Sequence, residues 1–366
     1  MRGEMRHLGE FAGLVEVAGR QGELFPDAPA GPELRAAARE AIGTLDLTAG
    51  DVRVERTWTA DGLDGEELSW DVGYGPRTRA YLLRPHGHRG ALPGVVALHC
   101  HAGMKWAGKE KIADGPEPPT PEVRRLRGEL YGGRAFASEL ARRGFAVLAH
   151  DVTGWGSRRF PLTDMPDRVT ALAPDAGLSE ADRYDVAAGH HEHVLEKYCR
   201  LLGTSFAGVV AGEDLAAAAY LRGRPDIGPV GCAGLSGGGL RAALLGAFDP
   251  GVRAVVVAAM TSSYADLLDG YVASHTWMLF PPGLSRVCDW PALVASGAPR
   301  PLLALYAGDD QLFPERGMRR AHEAIARRYP DGGYEGRFFD APHAFDVPMQ
   351  EHAFTWLAAE LRPEPR

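Results

Sequence analysis

Ser236 stands in Gly234-Leu235-Ser236-Gly237-Gly238, a G-x-S-x-G pentapeptide. It lies between the apolar run Val230-Gly231-Cys232-Ala233 and the helix-forming run Leu240-Arg241-Ala242-Ala243-Leu244-Leu245. At a strand-to-helix junction this pattern lifts a serine hydroxyl above a sheet on a sharp turn, as a nucleophile elbow does. Such a turn strains the backbone, so its neighbours must be small where strand and helix approach. The competing interpretation is a glycine-rich turn that merely closes a βα unit. A nucleophilic serine requires a base to take its proton, an acid to orient the base, and amides to hold an oxyanion.

Those partners can be sought by position. Pro301-Leu302-Leu303-Ala304-Leu305-Tyr306 reads as a buried parallel strand. It delivers Asp309 and Asp310 to its carboxyl end, where open α/β sheets bind ligands. Asp310 is the candidate acid; Asp309 suits a turn or cap before a helix from about Glu315 to Arg328. Tyr334 to Phe339 reads as the last strand, and Asp340-Ala341-Pro342-His343-Ala344-Phe345 as the loop beyond it. His343 is the candidate base, ahead of an amphipathic helix from about Val347 to Leu361. The buried run Gly94 to Leu98 leads into His99-Cys100-His101-Ala102-Gly103, so the amides of His101 and Gly237 are the candidate oxyanion donors. His99, Cys100 and His101 also invite a metal, but consecutive side chains at a strand end face opposite ways. No second cluster at zinc-site spacing accompanies them. No metal and no cofactor is expected.

Taken in order, these segments resemble the α/β-hydrolase superfamily, and within it the dienelactone-hydrolase and acetyl-xylan-esterase-like branch. The resemblance is carried by HCHAG after its strand, GFAVLAHDVTGWGSR, the stretch from GEDLAAAAYL through GLSGGGL, APRPLLALYAGDDQLFP and DAPHAF. It spans roughly Arg79 to the C-terminus. It implies an α/β fold with a mostly parallel central sheet, helices on both faces and lid-like insertions. It also implies a serine hydrolase that cleaves a carboxylic ester through an acyl-enzyme, with a short acyl group, acetyl among them, on a sugar-like alcohol. In that family the acid is typically followed by three residues and a proline, as Asp310 is by Gln311-Leu312-Phe313-Pro314. Cys100 departs from the glycine many relatives carry, which bears on the oxyanion geometry. Lactone hydrolysis, peptide cleavage, lyase chemistry and acyl transfer run on the same fold. A non-catalytic binding protein would be expected to lose a triad member, and all three stand in order here.

At 366 residues, with 45% hydrophobic and 24% charged side chains, the chain can bury a large core. Residues 51–366 are expected to form one α/β-hydrolase domain, preceded by a helical extension over 1–50 that Pro26, Pro29 and Pro32 interrupt. Asp51 to Trp58 and Arg77 to Leu83 partly alternate and read as antiparallel edge strands; Gly144 to His150 and Val252 to Met260 read as further strands. A formal charge of −8 argues against nucleic acid as partner. Arg124-Arg125-Leu126-Arg127 is the densest basic run, and Glu122 and Glu129 beside it make it read as a solvated helix face. The expected partner is a small-molecule ester; the sequence leaves the oligomeric state open. Four cysteines at no metal spacing, no signal-peptide core in Met1 to His7 and no bilayer-length apolar run make a cytoplasmic enzyme the expectation.

Two stretches interrupt the strand–helix alternation. Gly108 to about Pro121 is expected to be an exposed loop. The insertion at about 158–203 carries Pro161, Pro166 and Pro174 and then a helix through His190, His191, Glu192 and His193. That cluster reads as a solvated helix face, because at most two of its histidines could share an ion. Trp155, His275 and Trp277 are the candidate walls of a substrate pocket, with ordinary core packing as the alternative.

Overall fold

The computed structural model describes Met5, residues 7–173 and residues 177–362, so the first four residues, Arg6 and Pro174 lie outside the described residues. Nine strands form one sheet in the order β1-β2-β3-β5-β4-β6-β7-β8-β9. β1 (Gly50–Ala60), β2 (Leu63–Asp71) and β3 (Thr78–Pro85) are an antiparallel meander, and β3 also runs antiparallel to β5 (Ala146–His150). β4 (Leu92–Leu98), β5, β6 (Ile227–Leu235), β7 (Val252–Ala258), β8 (Leu302–Ala307) and β9 (Tyr334–Phe339) are parallel. β5 and β8 are buried along their whole length, as strands covered on both faces must be. β2 was not foreseen, because Asp64, Glu66 and Glu67 disguise its apolar face.

Apolar side chains fill a core on each face of the sheet. One face carries α1 (Pro32–Ile42), which belongs to the N-terminal stretch and sinks Leu34, Ala38 and Ile42 into the main core. The opposite face carries α2 (Pro121–Leu130) and α3 (Phe136–Arg142). The stretch 158–203 contributes α4 (Glu180–Leu201), which packs Tyr184, Ala187 and Ala188 with Met165, Val169 and Ala173 in a small core of its own. Back on the α1 face lie α5 (Phe206–Arg222), α6 (Gly237–Phe248) and α7 (Glu315–Ala326). α8 (Val347–Glu360) joins α2 and α3, burying Met349, Ala353, Phe354 and Leu357. No single described helix is long and apolar enough to cross a membrane.

The segment from Gly108 to Pro121 corrects an expectation. Lys109, Lys111, Ile112 and Ala113 are buried around a short 3₁₀ turn. Its polar groups find partners inside: Lys109 Nζ lies 2.9 Å from Asp151 Oδ2. Arg127 donates to Asp114 Oδ1 at 2.7 Å and to the carbonyls of Glu110 and Ala113. Arg124 and Arg125 face solvent as expected, whereas Arg127 is a buried brace for this loop.

Candidate active site

Strand register brings the site together. Leu98 of β4 pairs with Gly234 of β6, and Leu235 of β6 pairs with Ala258 of β7. Ala258 in turn pairs with Leu305 of β8, and Ala307 of β8 with Phe339 of β9. The loops that follow these five strands therefore emerge along one edge of the sheet. Ser236 occupies φ +55°, ψ −124°, a strained conformation for a non-glycine residue that costs about 1–3 kcal/mol. Its amide is anchored to the Ala258 carbonyl at 2.9 Å. A side chain at Gly234 would collide with the Gly238 backbone, and one at Gly238 with the Leu98 carbonyl. The glycines of the pentapeptide are thus imposed by close approach.

Asp310 is buried at the end of β8. Its Oδ1 accepts from the Leu312 amide at 2.8 Å, and its Oδ2 lies 2.7 Å from His343 Nδ1. Fastened at Nδ1, the imidazole has Nε2 left to accept a proton. No hydrogen bond joins His343 to Ser236 Oγ among the described residues; such contacts often tighten only when substrate binds. Asp309 is exposed and does not cap α7, which begins after Pro314 without a side-chain cap. Four intervening residues and a proline put the helix out of its reach.

On the far side of Ser236, a Cβ built on Gly237 would lie 2.8 Å from His101 N, so the His101 amide and the residue after the serine are neighbours. Ala102 and Gly103 take φ of +52° and +65°, turning the chain sharply after His101. Ser236, the Asp310–His343 pair and the His101 amide all lie at the carboxyl edge of the sheet.

No family model matches the chain. A Bacillus subtilis protein assigned as a hydrolase, YtaP, is 24% identical over 272 residues, covering 73% of this chain and 77% of its own. Among solved structures, a Bacteroides fragilis protein assigned as an acetyl xylan esterase superposes with a TM-score of 0.67 at 16% identity, covering 89% of this chain and 81% of that one. Acetyl xylan esterase 1 from a Thermoanaerobacterium strain gives 0.59 at 15% identity, covering 93% and 96%. A glucuronoyl esterase from Solibacter usitatus gives 0.60 at 13%, covering 90% and 92%. This is the α/β-hydrolase fold.

The loop after β4 packs against the turn at Ser236, and it is itself set among buried charges. His101 Nε2 lies 2.7 Å from Glu192 Oε2, while His101 Nδ1 accepts from the Gly103 amide at 3.1 Å. Lys105 Nζ is 2.8 Å from the same Glu192 oxygen. The other oxygen of Glu192 accepts from Thr276 Oγ1 at 2.6 Å and from the Trp277 amide at 3.2 Å. Burial alone would raise the Glu192 carboxyl, but Lys105 and His101 hold it well below the usual carboxylate range. Burial outweighs Glu192 at His101 and lowers its imidazole, so the ion pair is Lys105 with Glu192 and His101 is neutral. Glu192 lies in the cluster expected to be a solvated face, yet it is only 4% exposed. It fastens α4 to both the loop after β4 and the 276–277 segment.

The three neighbouring histidines point to separate surroundings. His190 is exposed, His191 packs its ring against Phe160 at 5.1 Å, and His193 Nδ1 accepts from Trp277 Nε1 at 2.8 Å. Trp277 therefore faces α4. Trp155 corrects an expectation: it is 1% exposed, stacked on Phe206, with Lys105 Nζ 3.7 Å from its ring centroid. It supports His101 from beneath, edge to face at 5.3 Å, and lines no open pocket. His275 lies beside the acid–base pair. Its Nε2 donates to the Leu312 carbonyl at 3.0 Å, and its ring sits 4.7 Å from Phe313, which in turn neighbours His343. Burial pushes the His275 imidazole down to about 4, so it is neutral. The sequence did not single out Lys105, Lys111 or Phe313; lysines in a charged stretch read as solvent-facing.

Proposed function

We propose that this chain is a serine hydrolase of carboxylic esters. Ser236 attacks the carbonyl while His343 Nε2 takes its proton, and Asp310 keeps the imidazole oriented and stabilises it once charged. The amides of His101 and Gly237 receive the developing oxyanion. The alcohol leaves with the proton returned by His343, which then activates water to release the acyl group from Ser236. The observation that carries this is the 2.7 Å Asp310–His343 contact at the same sheet edge as a strained serine elbow. The names of the structural neighbours favour a short acyl group on a sugar-like alcohol.

The test is labelling with a fluorophosphonate, followed by turnover of a p-nitrophenyl ester series from acetyl to long chains. Ser236→Ala should abolish labelling and nearly all turnover, with the fold intact because alanine fits the elbow. Parental hydrolysis in that variant would disprove the proposal. Activity rising steadily toward the longest chains would refute the short-acyl part, since a fitted pocket grades acyl lengths by about 1–3 kcal/mol per methylene.

A further inference from the structure

Lys111 is wholly buried, and among the described residues no carboxylate lies within ion-pair distance of its ammonium. Isolated buried charges are costly, so an unpaired one calls for an explanation. Its Nζ donates to the Cys100 carbonyl at 2.9 Å and to the His101 carbonyl at 3.2 Å. The carbonyl before them, that of His99, accepts from Arg241 at 3.3 Å. Arg241 is neutralised by Asp214, at 2.7 Å. Three consecutive carbonyls at the end of β4 thus each receive a buried cation, and Lys111 supplies the net charge.

The Cys100 carbonyl and the His101 N–H belong to one planar peptide unit. A cation on the oxygen of that unit draws electron density toward it and strengthens the N–H as a donor, as linked hydrogen bonds polarise one another in a low-dielectric interior. We propose that Lys111 is a positioning residue of the oxyanion hole, polarising through the Cys100–His101 peptide the amide that receives the oxyanion. The inference rests on the ester-hydrolase proposal above. The groups facing Lys111 are His99, Cys100, His101 and Lys105 from the β4 loop, Asp185 from α4 and Arg241 from α6. Burial, against the pull of Cys100 and Asp185, lowers the lysine to about 8.

Lys111→Met removes the charge and keeps an unbranched apolar stem. It should lower kcat and kcat/KM for p-nitrophenyl acetate about tenfold, less than the 10²–10³ lost with a whole oxyanion donor, and leave KM within about twofold. Binding of a boronic acid, which forms a tetrahedral adduct on serine, should weaken by the same factor. Lys111→Gln keeps a donor for the carbonyls without the charge and should stay below the parent. In the parent, kcat/KM should fall as pH rises through about 8 and the ammonium is lost. The glutamine variant should lack that limb, a readout available even if the methionine variant does not fold. Parental kcat in folded Lys111→Met, or full recovery in Lys111→Gln, would overturn the inference. If Ser236→Ala kept its turnover, the hydrolase proposal would fall and the role of Lys111 with it. If only Lys111→Met kept its rate, Lys111 alone would be reassigned.

Discussion

The two sides of Ser236 are built differently. Beyond β8 and β9, one carboxylate and one imidazole face each other: Asp310 takes the Leu312 amide with one oxygen and His343 with the other. Beyond β4, the amide that would hold an oxyanion sits above Lys105, Lys111, Glu192, Arg241 and Asp214, all buried. In the proposed mechanism the first side moves protons, which needs a free imidazole nitrogen and little else nearby. The second must stay fixed while charge builds against it, and fixed dipoles and charges in a dry interior do that. The difference implies that damage on the β8–β9 side shows mainly in rate. Damage on the β4 side shows in stability as well.

Asp310→Asn tests the first half of that comparison most severely. It should cost about 10⁴-fold in kcat by misorienting the imidazole, with little change in melting temperature. A small rate loss with a large drop in Tm would erase the contrast. Glu192→Ala probes the other side. It strands Lys105 without its partner, and urea denaturation should register a loss of about 3–5 kcal/mol. The Glu192 carboxyl is held below its ordinary range, so its contribution is complete above the unfolded carboxylate pKa. It fades as pH falls through the lower folded value. A urea midpoint equal to the parent's at neutral pH would show the Lys105–Glu192 pair to be dispensable. His193→Ala removes the acceptor of Trp277 Nε1 at an exposed position and should cost about 1 kcal/mol or less, read as a small Tm shift with kcat preserved. Smallest of all, Asp309→Asn should stay within about 0.5 kcal/mol and near parental kcat, since the side chain is exposed and caps nothing. A larger kcat loss there than in Asp310→Asn would move the acid to Asp309.

The β8–β9 side and the elbow were legible in the sequence because both are local. Each candidate follows a short apolar run directly, and parallel register then aligns the ends of those runs. Asp310 is preferred to Asp309 at the end of the strand, the spacing to Pro314 that the family resemblance implies supports the same choice, and burial separates the two the same way. The β4 side was not legible. Glu192 meets residues 91 and 84 positions away in the chain, His101 and Thr276, and no local pattern marks a glutamate in His190-His191-Glu192-His193 as buried. Lys109-Glu110-Lys111 reads as solvated for the same reason: its partners lie on the β4 end, β5 and α2, which only folding brings together. Trp155 was misjudged because a large aromatic after a strand serves equally well as pocket wall or as foundation.

The meander at the other end of the sheet has a bearing on how the molecule behaves in a crowd. β1 is an outermost strand, paired only with β2, and its register shifts between Gly50 and Arg53 and again between Val54 and Arg56. Open backbone along an edge can template another chain, and proteins blunt it with bulges and charge. Arg53 is held by Asp51, Arg56 by Glu67 and Glu117, and Glu55 by Ser69, so a second copy approaching this edge meets kinks and fixed ions of both signs. Among the described residues, this end of the nine-stranded sheet offers another chain bulges and charges rather than a flat row of open backbone.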